Sequence, residues 1–176
     1  MFKNAYFAGG CFWCTESIFQ RVKGVSLVIP GYMGGYIKNP SYHEVCSGRT
    51  GHTETIKITY DKNIISYSKL LEIFFFTHDP TKLNRQGNDV GTQYRSAVFF
   101  ENQSEKKQIL ESISIFEKKK IYNESFVTEI NKKIEFYDAE TEHHDYYNQN
   151  KSQSYCQFVI RPKIKKFESL LNKILK

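Results

Sequence analysis

Residues 9–17 read GGCFWCTES. The run ahead of them, KNAYFA (3–8), reads as a strand, and FWCTESIFQR (12–21) reads as a helix. Two glycines at such a junction let backbone come close to a ligand, because they carry no Cβ. The junction delivers Cys11 at the start of the helix and Cys14 one turn later. Its order, strand then helix then a further strand at 25–33, is a βαβ unit, and the rest of the chain is read outward from it.

VSLVIPGYM (25–33) predicts a strand broken by a Pro-Gly turn, and TETIKITYD (53–61) alternates as a half-buried strand does. Residues 67–77 predict an apolar helix, and 93–100 a strand. An amphipathic helix is expected over 104–120, with Ile109, Ile113 and Phe116 on one face. A short strand is placed near 126–137 and a final helix at 163–175. The expected fold class is α/β, an α+β sandwich. Its βαββαβ core resembles the ferredoxin-like split βαβ arrangement, and a mostly irregular tail over about 138–176 ends in a helix. One domain is expected over 1–176. The stretches 34–52 and 78–92 read as loops beyond the roughly 12–15 residues usual without a function. Both are rich in Tyr, His, Gly, Asp and Arg.

Bulk properties narrow the function. The 176 residues are 40% hydrophobic and 15% aromatic, too apolar for a disordered chain. The net charge of +6 is spread along the chain without a basic tail, so nothing argues for nucleic acid. No run approaches the roughly 18 apolar residues of a membrane span, and the N-terminus does not read as an export signal. A cytoplasmic protein is expected, whose four cysteines are catalytic, redox-active or core in a reducing compartment.

Cys11 and Cys14 admit three readings. As half of a zinc site they lack a partner pair, since Cys46 and Cys156 stand alone, and no metal is expected. As a thioredoxin-type pair they have the right strand-to-helix context, and a helix N-terminus should lower the Cys11 pKa. As a lone nucleophile, Cys11 would face an apolar box of Phe12 and Trp13, beside Gly10. A cysteine protease would pair Cys11 with His43 or His52, but leaves Cys14, Cys156 and Glu54 without a role. Cys46 reads as a small buried apolar residue. Glu54, taken alone, reads as an exposed strand-end carboxylate.

The motifs GCFWCTES, GYMGG, YHEVCSGRTGHTE, RQGNDVGTQYRS and HHDYYNQNKSQSYC occur in this order. In these the chain resembles the A-type peptide methionine sulfoxide reductases, over about residues 5–160. The resemblance implies that Cys11 attacks the sulfoxide sulfur and that Phe12 and Trp13 hold the methionine methyl group. It further implies that Glu54 protonates the oxygen, that Tyr42 and Tyr94 donate to it, and that Asp89 lines the site. Cys156 stands where many members keep a resolving cysteine and is favoured for that step over Cys14, which only some members have. The implied activity is reduction of the S epimer of methionine sulfoxide in proteins, and of the free amino acid. It needs no cofactor besides thioredoxin as external reductant, and the family suggests a monomer. Thr53 and Met33 depart from the family's usual alanines. The chemistry requires a carboxyl that is neutral at working pH, which burial supplies by penalising the charged form. The competing class is a redox or metal-binding C-x-x-C module without turnover.

Overall fold

The computed structural model describes residues 1–172. Strand β1 (Phe2–Ala8) is the centre of the sheet, and helix α1 (Phe12–Phe19) follows it. Next come β2 (Val25–Met33), α2 (Tyr42–Cys46), β3 (Thr53–Asp61) and α3 (Tyr67–Thr77). The hairpin β4 (Arg85–Gln86) and β5 (Asp89–Val90) precedes β6 (Ala97–Phe100) and α4 (Gln103–Lys118). Then follow β7 (Glu129–Lys132), β8 (Tyr137–Asp138), α5 (Tyr146–Gln149) and α6 (Arg161–Leu171).

The main sheet runs β7-β6-β1-β3-β2-β8. Its four inner strands pair antiparallel, and only β6–β7 is parallel. The order β6-β1-β3-β2 is the split βαβ expected from sequence. The register sets Phe7 opposite Ile56 on β3 and Val98 on β6. Phe7 is fully buried and packs on Phe19 of α1 and on Tyr67 and Phe74 of α3, with ring centroids 4.9–6.0 Å apart.

The segments that differ from expectation do so for local reasons. The Pro-Gly pair does not break β2, whose pairing continues through Pro30↔Ile56 and Gly31↔Thr55. A strand residue's nitrogen and carbonyl face the same neighbour, and the Pro30 carbonyl accepts from Ala139 N–H at 2.9 Å beside the short edge strand. The missing proline N–H therefore falls outside the β3 ladder. The 34–52 loop contains α2, started by a capping box in which Glu44 N–H donates to Ser41 Oγ and Ser41 N–H donates to Glu44 Oε2. The 78–92 loop contains the β4–β5 hairpin. The strand expected at 93–100 begins only at Ala97, because residues 92–94 form a 3-10 turn after Gly91 at φ +148°. The strand placed near 126–137 is two, β7 and β8, on opposite edges of the sheet. The final helix starts at Arg161, continues a π-helical turn over Cys156–Ile160, and its expected end at 173–175 lies outside the described residues.

Replacing Phe7 by Ala should cost about 3–5 kcal/mol, as removal of a buried ring does. Urea unfolding followed by circular dichroism should show a lower midpoint with an unchanged slope.

Candidate active site

The site forms where β1 ends and α1 begins. Gly10 has φ +86°, and a Cβ there would lie 2.7 Å from the Gln86 side chain. Gln86 is held by two bonds to the Asp79 backbone, accepting from N–H at 2.9 Å and donating to the carbonyl at 3.0 Å. The glycine thus lets the β4–β5 hairpin close against the Cys11 turn. Cys11 is the N-cap residue of α1, so its sulfur sits at the helix's positive end.

That end does not dominate. Burial, the hydrogen bond to Cys14 and the nearby Glu54 push the Cys11 thiol well above its ordinary value, against a smaller opposite pull from the Trp13 amide. The lowered pKa expected for Cys11 is found at Cys14 instead. Cys14 is held down to about 7 by the hydrogen bond from Cys11, against the pull of its own burial, with help from the Lys163 ammonium. Lys163 Nζ lies 3.9 Å from Cys14 Sγ.

Glu54, second residue of β3, is 2% exposed rather than an open strand end. Its Oε2 has no hydrogen-bond partner. Burial first, then the charges of Asp89 and Cys14, push its carboxyl well above the ordinary carboxylate value, which favours the neutral acid. Half-buried Tyr42, at the start of α2, and Tyr94, on the 3-10 turn, have hydroxyls pushed up by burial and by the Glu54 charge, which places both around that carboxyl. Tyr32, which pairs with Glu54 across the sheet, belongs to the same ring of groups. Asp89, on β5, is half-buried and accepts from Tyr155 O–H at 2.6 Å. Cys46 is exposed, not core, and hydrogen-bonds with the Tyr42 hydroxyl. His52 serves the 34–52 loop, accepting from Gly35 N–H at 3.0 Å. Thr53 explains its own departure from alanine, since its hydroxyl donates to the Gln93 carbonyl at 2.9 Å and ties β3 to the Tyr94 turn. Met33 fills the small core patch with Tyr6, Ala8, Ala97 and Phe99.

The two aromatic residues of the motif are placed differently. Phe12 is fully buried among Tyr32, Tyr42 and His143, at centroid distances of 5.4–6.4 Å. Trp13 is half-buried, so its ring is the one that can meet an incoming group. Tyr146 stacks on it at 3.7 Å, Tyr155 meets its edge, and its indole N–H donates to His143 Nδ1 at 3.1 Å.

The segment 140–163 thus folds back over the junction as a strap. Glu16 of α1 buckles it, accepting from Asp145 N–H at 2.6 Å. Glu140 accepts from the Tyr32 hydroxyl and the Tyr42 amide. His143, Tyr146 and Tyr155 lie in the motif HHDYYNQNKSQSYC, but their roles, like those of Glu16, Glu140, Gln86, Tyr32 and Lys163, show only in the fold. Cys156 is fully buried in the π-helical turn, close enough to Cys14 for that residue's charge to raise its thiol pKa in addition to burial. Helix α1 itself sets Cys14 against Cys11, the two thiols joined by a hydrogen bond. His143, Glu140 and Glu142 also cluster within 4.8 Å of one another. With His143 Nδ1 accepting from Trp13, its Nε2 carries the ring proton and offers no lone pair to a metal.

Comparison with known proteins agrees with this geometry. A family model described as peptide methionine sulfoxide reductase matches residues 3–174. The chain belongs to that family. It is 52% identical to the peptide methionine sulfoxide reductase MsrA of Saccharolobus solfataricus, over 94% of this chain and 93% of the relative. Reduced Mxr1 from Saccharomyces cerevisiae superposes with a TM-score of 0.80 at 31% identity, over 88% of this chain and 89% of that one. Methionine sulfoxide reductase A of Corynebacterium diphtheriae gives 0.76 at 33% identity, over 85% and 75%. No helix among the described residues is long and apolar enough to cross a membrane.

Trp13 is the chain's single tryptophan, so its fluorescence reports the strap. Burial lowers the His143 pKa from the ordinary 6.5, and only neutral His143 accepts the indole N–H. Emission should therefore stay constant from pH 8 to 6.5 and change only below 6.5. The His143→Leu variant should lack that transition, and a transition above 6.5 would contradict the assignment.

Proposed function

We propose that this peptide methionine sulfoxide reductase reduces the S epimer of methionine sulfoxide in proteins, and the free S-sulfoxide, with thioredoxin as reductant. The observation that carries the reading is Glu54, a buried carboxyl with a strongly raised pKa and an unpartnered oxygen, beside the Cys11 thiol. A dithiol switch or metal module has no use for such an acid, and leaving it buried without a partner is costly.

The substrate's methyl group packs against Trp13, in the aromatic cluster that Phe12 underlies. Its oxygen points to Glu54, Tyr42 and Tyr94, with Asp89 at the rim, donors set where negative charge develops. Cys11 attacks sulfur, its proton passing along the hydrogen bond to Cys14. Glu54 gives its proton to the oxygen. The hydroxyl passes from the methionine sulfur to the Cys11 sulfur as the S–O and the new sulfur–sulfur bonds break, methionine leaves, and Cys11 carries a sulfenic acid. Cys14, one helical turn away, then attacks the Cys11 sulfur. The S–S bond forms, the S–O bond breaks, and the departing hydroxide takes the Cys14 proton as water. The two electrons come from the thiols, and no bound cofactor takes part. Cys156 exchanges into the new disulfide second, when the π-helical turn opens. π-Helical turns are short, irregular insertions common at functional sites. That exchange carries the oxidised pair outward to thioredoxin by thiolate attack through a mixed disulfide. The enzyme acts as a cytoplasmic monomer.

Replacing Glu54 by Gln keeps the shape and removes the proton. Methionine formation from a methionine-sulfoxide peptide should fall about 10²–10⁴-fold, while the thiols stay reactive towards a thiol reagent. Because the folded carboxyl is pushed up, the unsubstituted enzyme should keep its rate well above the ordinary carboxyl range near pH 4.5 and lose it only when Glu54 ionises. A Glu54→Gln enzyme with full activity would refute the acid role.

A further inference from the structure

Resting on the reductase reading and on Cys14 as first resolver, the geometry points to Lys163 as the positioning residue of the disulfide-forming step. Its ammonium holds the negative charge on Cys14 while Cys14 attacks the Cys11 sulfenic acid.

The groups facing Cys14 come from every element around it. They are Cys11 on the glycine turn, Glu54 on β3, Asp89 on β5, Tyr155 and Cys156 in the strap, and Lys163 on α6. Only some can stabilise a thiolate by donating a proton. Glu54 and Asp89 repel it when charged. Tyr155 lies 3.7 Å from Cys14 Sγ and its hydrogen bond also favours the thiolate, but less than Lys163 does, because its one proton is bound to Asp89 Oδ2 at 2.6 Å. Cys11 donates its S–H at rest, yet that proton has gone once Cys11 is a sulfenic acid. Lys163 is left as the stronger of the two. Its Nζ is 3.9 Å from the sulfur, and among the described residues it has no ion-pair partner.

The helix is built to place it. Ile160, Ile164 and Phe167 recur at helical spacing and are buried, which docks α6 on the core. Lys163 stands at the edge of that stripe, half-buried, with its apolar stem covered and its charge at the thiol. A lysine suits the task because its ammonium is a compact point charge. In the step itself the Cys14 thiolate forms the S–S bond and breaks the Cys11 S–O bond, and the proton that Cys14 gave up on ionising ends on the departing hydroxide. Sulfur of Cys14 is oxidised and sulfenic sulfur of Cys11 is reduced, with water as the only other product. Lys163 keeps its proton throughout.

The test is a single turnover of a methionine-sulfoxide peptide without reductant. Methionine is measured by chromatography, sulfenic acid by trapping with a cyclic dione, and disulfide by mass spectrometry, for the unsubstituted enzyme, Lys163→Met and Lys163→Arg. At pH 7 the Met variant should accumulate trapped Cys11 sulfenic acid and form disulfide about fivefold more slowly relative to methionine. That is the loss of thiolate fraction, partly offset by the greater nucleophilicity of a more basic thiolate. The deficit should narrow steadily as pH rises and more of Cys14 ionises without the ammonium, and the Arg variant should behave like the parent. Disulfide formation in Lys163→Met at the parent rate from pH 7 upward would overturn the proposal. So would a deficit that neither pH nor arginine repairs, which would mark a merely structural lysine. Absence of methionine even from the unsubstituted enzyme would instead sink the reductase reading on which the proposal stands.

Discussion

The structure turns on one unfavourable placement, a carboxyl at Glu54 held 2% exposed with one oxygen unpartnered. An ionised carboxylate there would be expensive to bury, which favours the protonated form. Its protonation makes it a donor, and a donor beside a sulfur nucleophile is what reduction of a sulfoxide needs. The sheet supplies this placement. β3 lies between β1 and β2, and its register sets Glu54 opposite Tyr32 while the Gly9-Gly10 turn brings Cys11 alongside. The core around Phe7, Phe19 and Phe74 fixes those elements, so the cost of the buried acid is offset by packing elsewhere.

Charge in the thiol pair is arranged by surroundings rather than by helix position alone. Cys11 occupies the helix N-cap but is dry and faces Glu54, whereas Cys14 sits one turn in and meets an ammonium. A protonated nucleophile hydrogen-bonded to a more acidic neighbour has a built-in proton acceptor.

Much of this was legible in the sequence. Residues 67–77 and 104–120 carry helical periodicity long enough to be unambiguous, and the glycine turn announces Cys11. The short elements were not legible. α2 spans five residues whose signal is the Ser41–Glu44 box, and β7 and β8 are too brief for an alternation pattern. Pro30 and Gly31 carry a breaker signal that an edge-side carbonyl bond overrides. At the site, Cys11, Cys14, Glu54, Tyr42, Tyr94 and Asp89 lie in motifs of the family's order, and the fold gathers them. The strap residues escaped because their partners are far along the chain. Trp13 meets His143 across 130 positions, and Cys14 meets Lys163 across 149. Helix geometry, visible in a sequence, points to Cys11 as the depressed thiol, while the desolvation that raises it is not visible there.

The most direct measurement counts thiols lost per methionine formed when the reduced enzyme meets an excess of methionine-S-sulfoxide peptide without reductant. The account predicts that methionine appears and that two thiols vanish with the first equivalent, from Cys11 and Cys14. Fully reduced, reactive thiols with no methionine formed would contradict it.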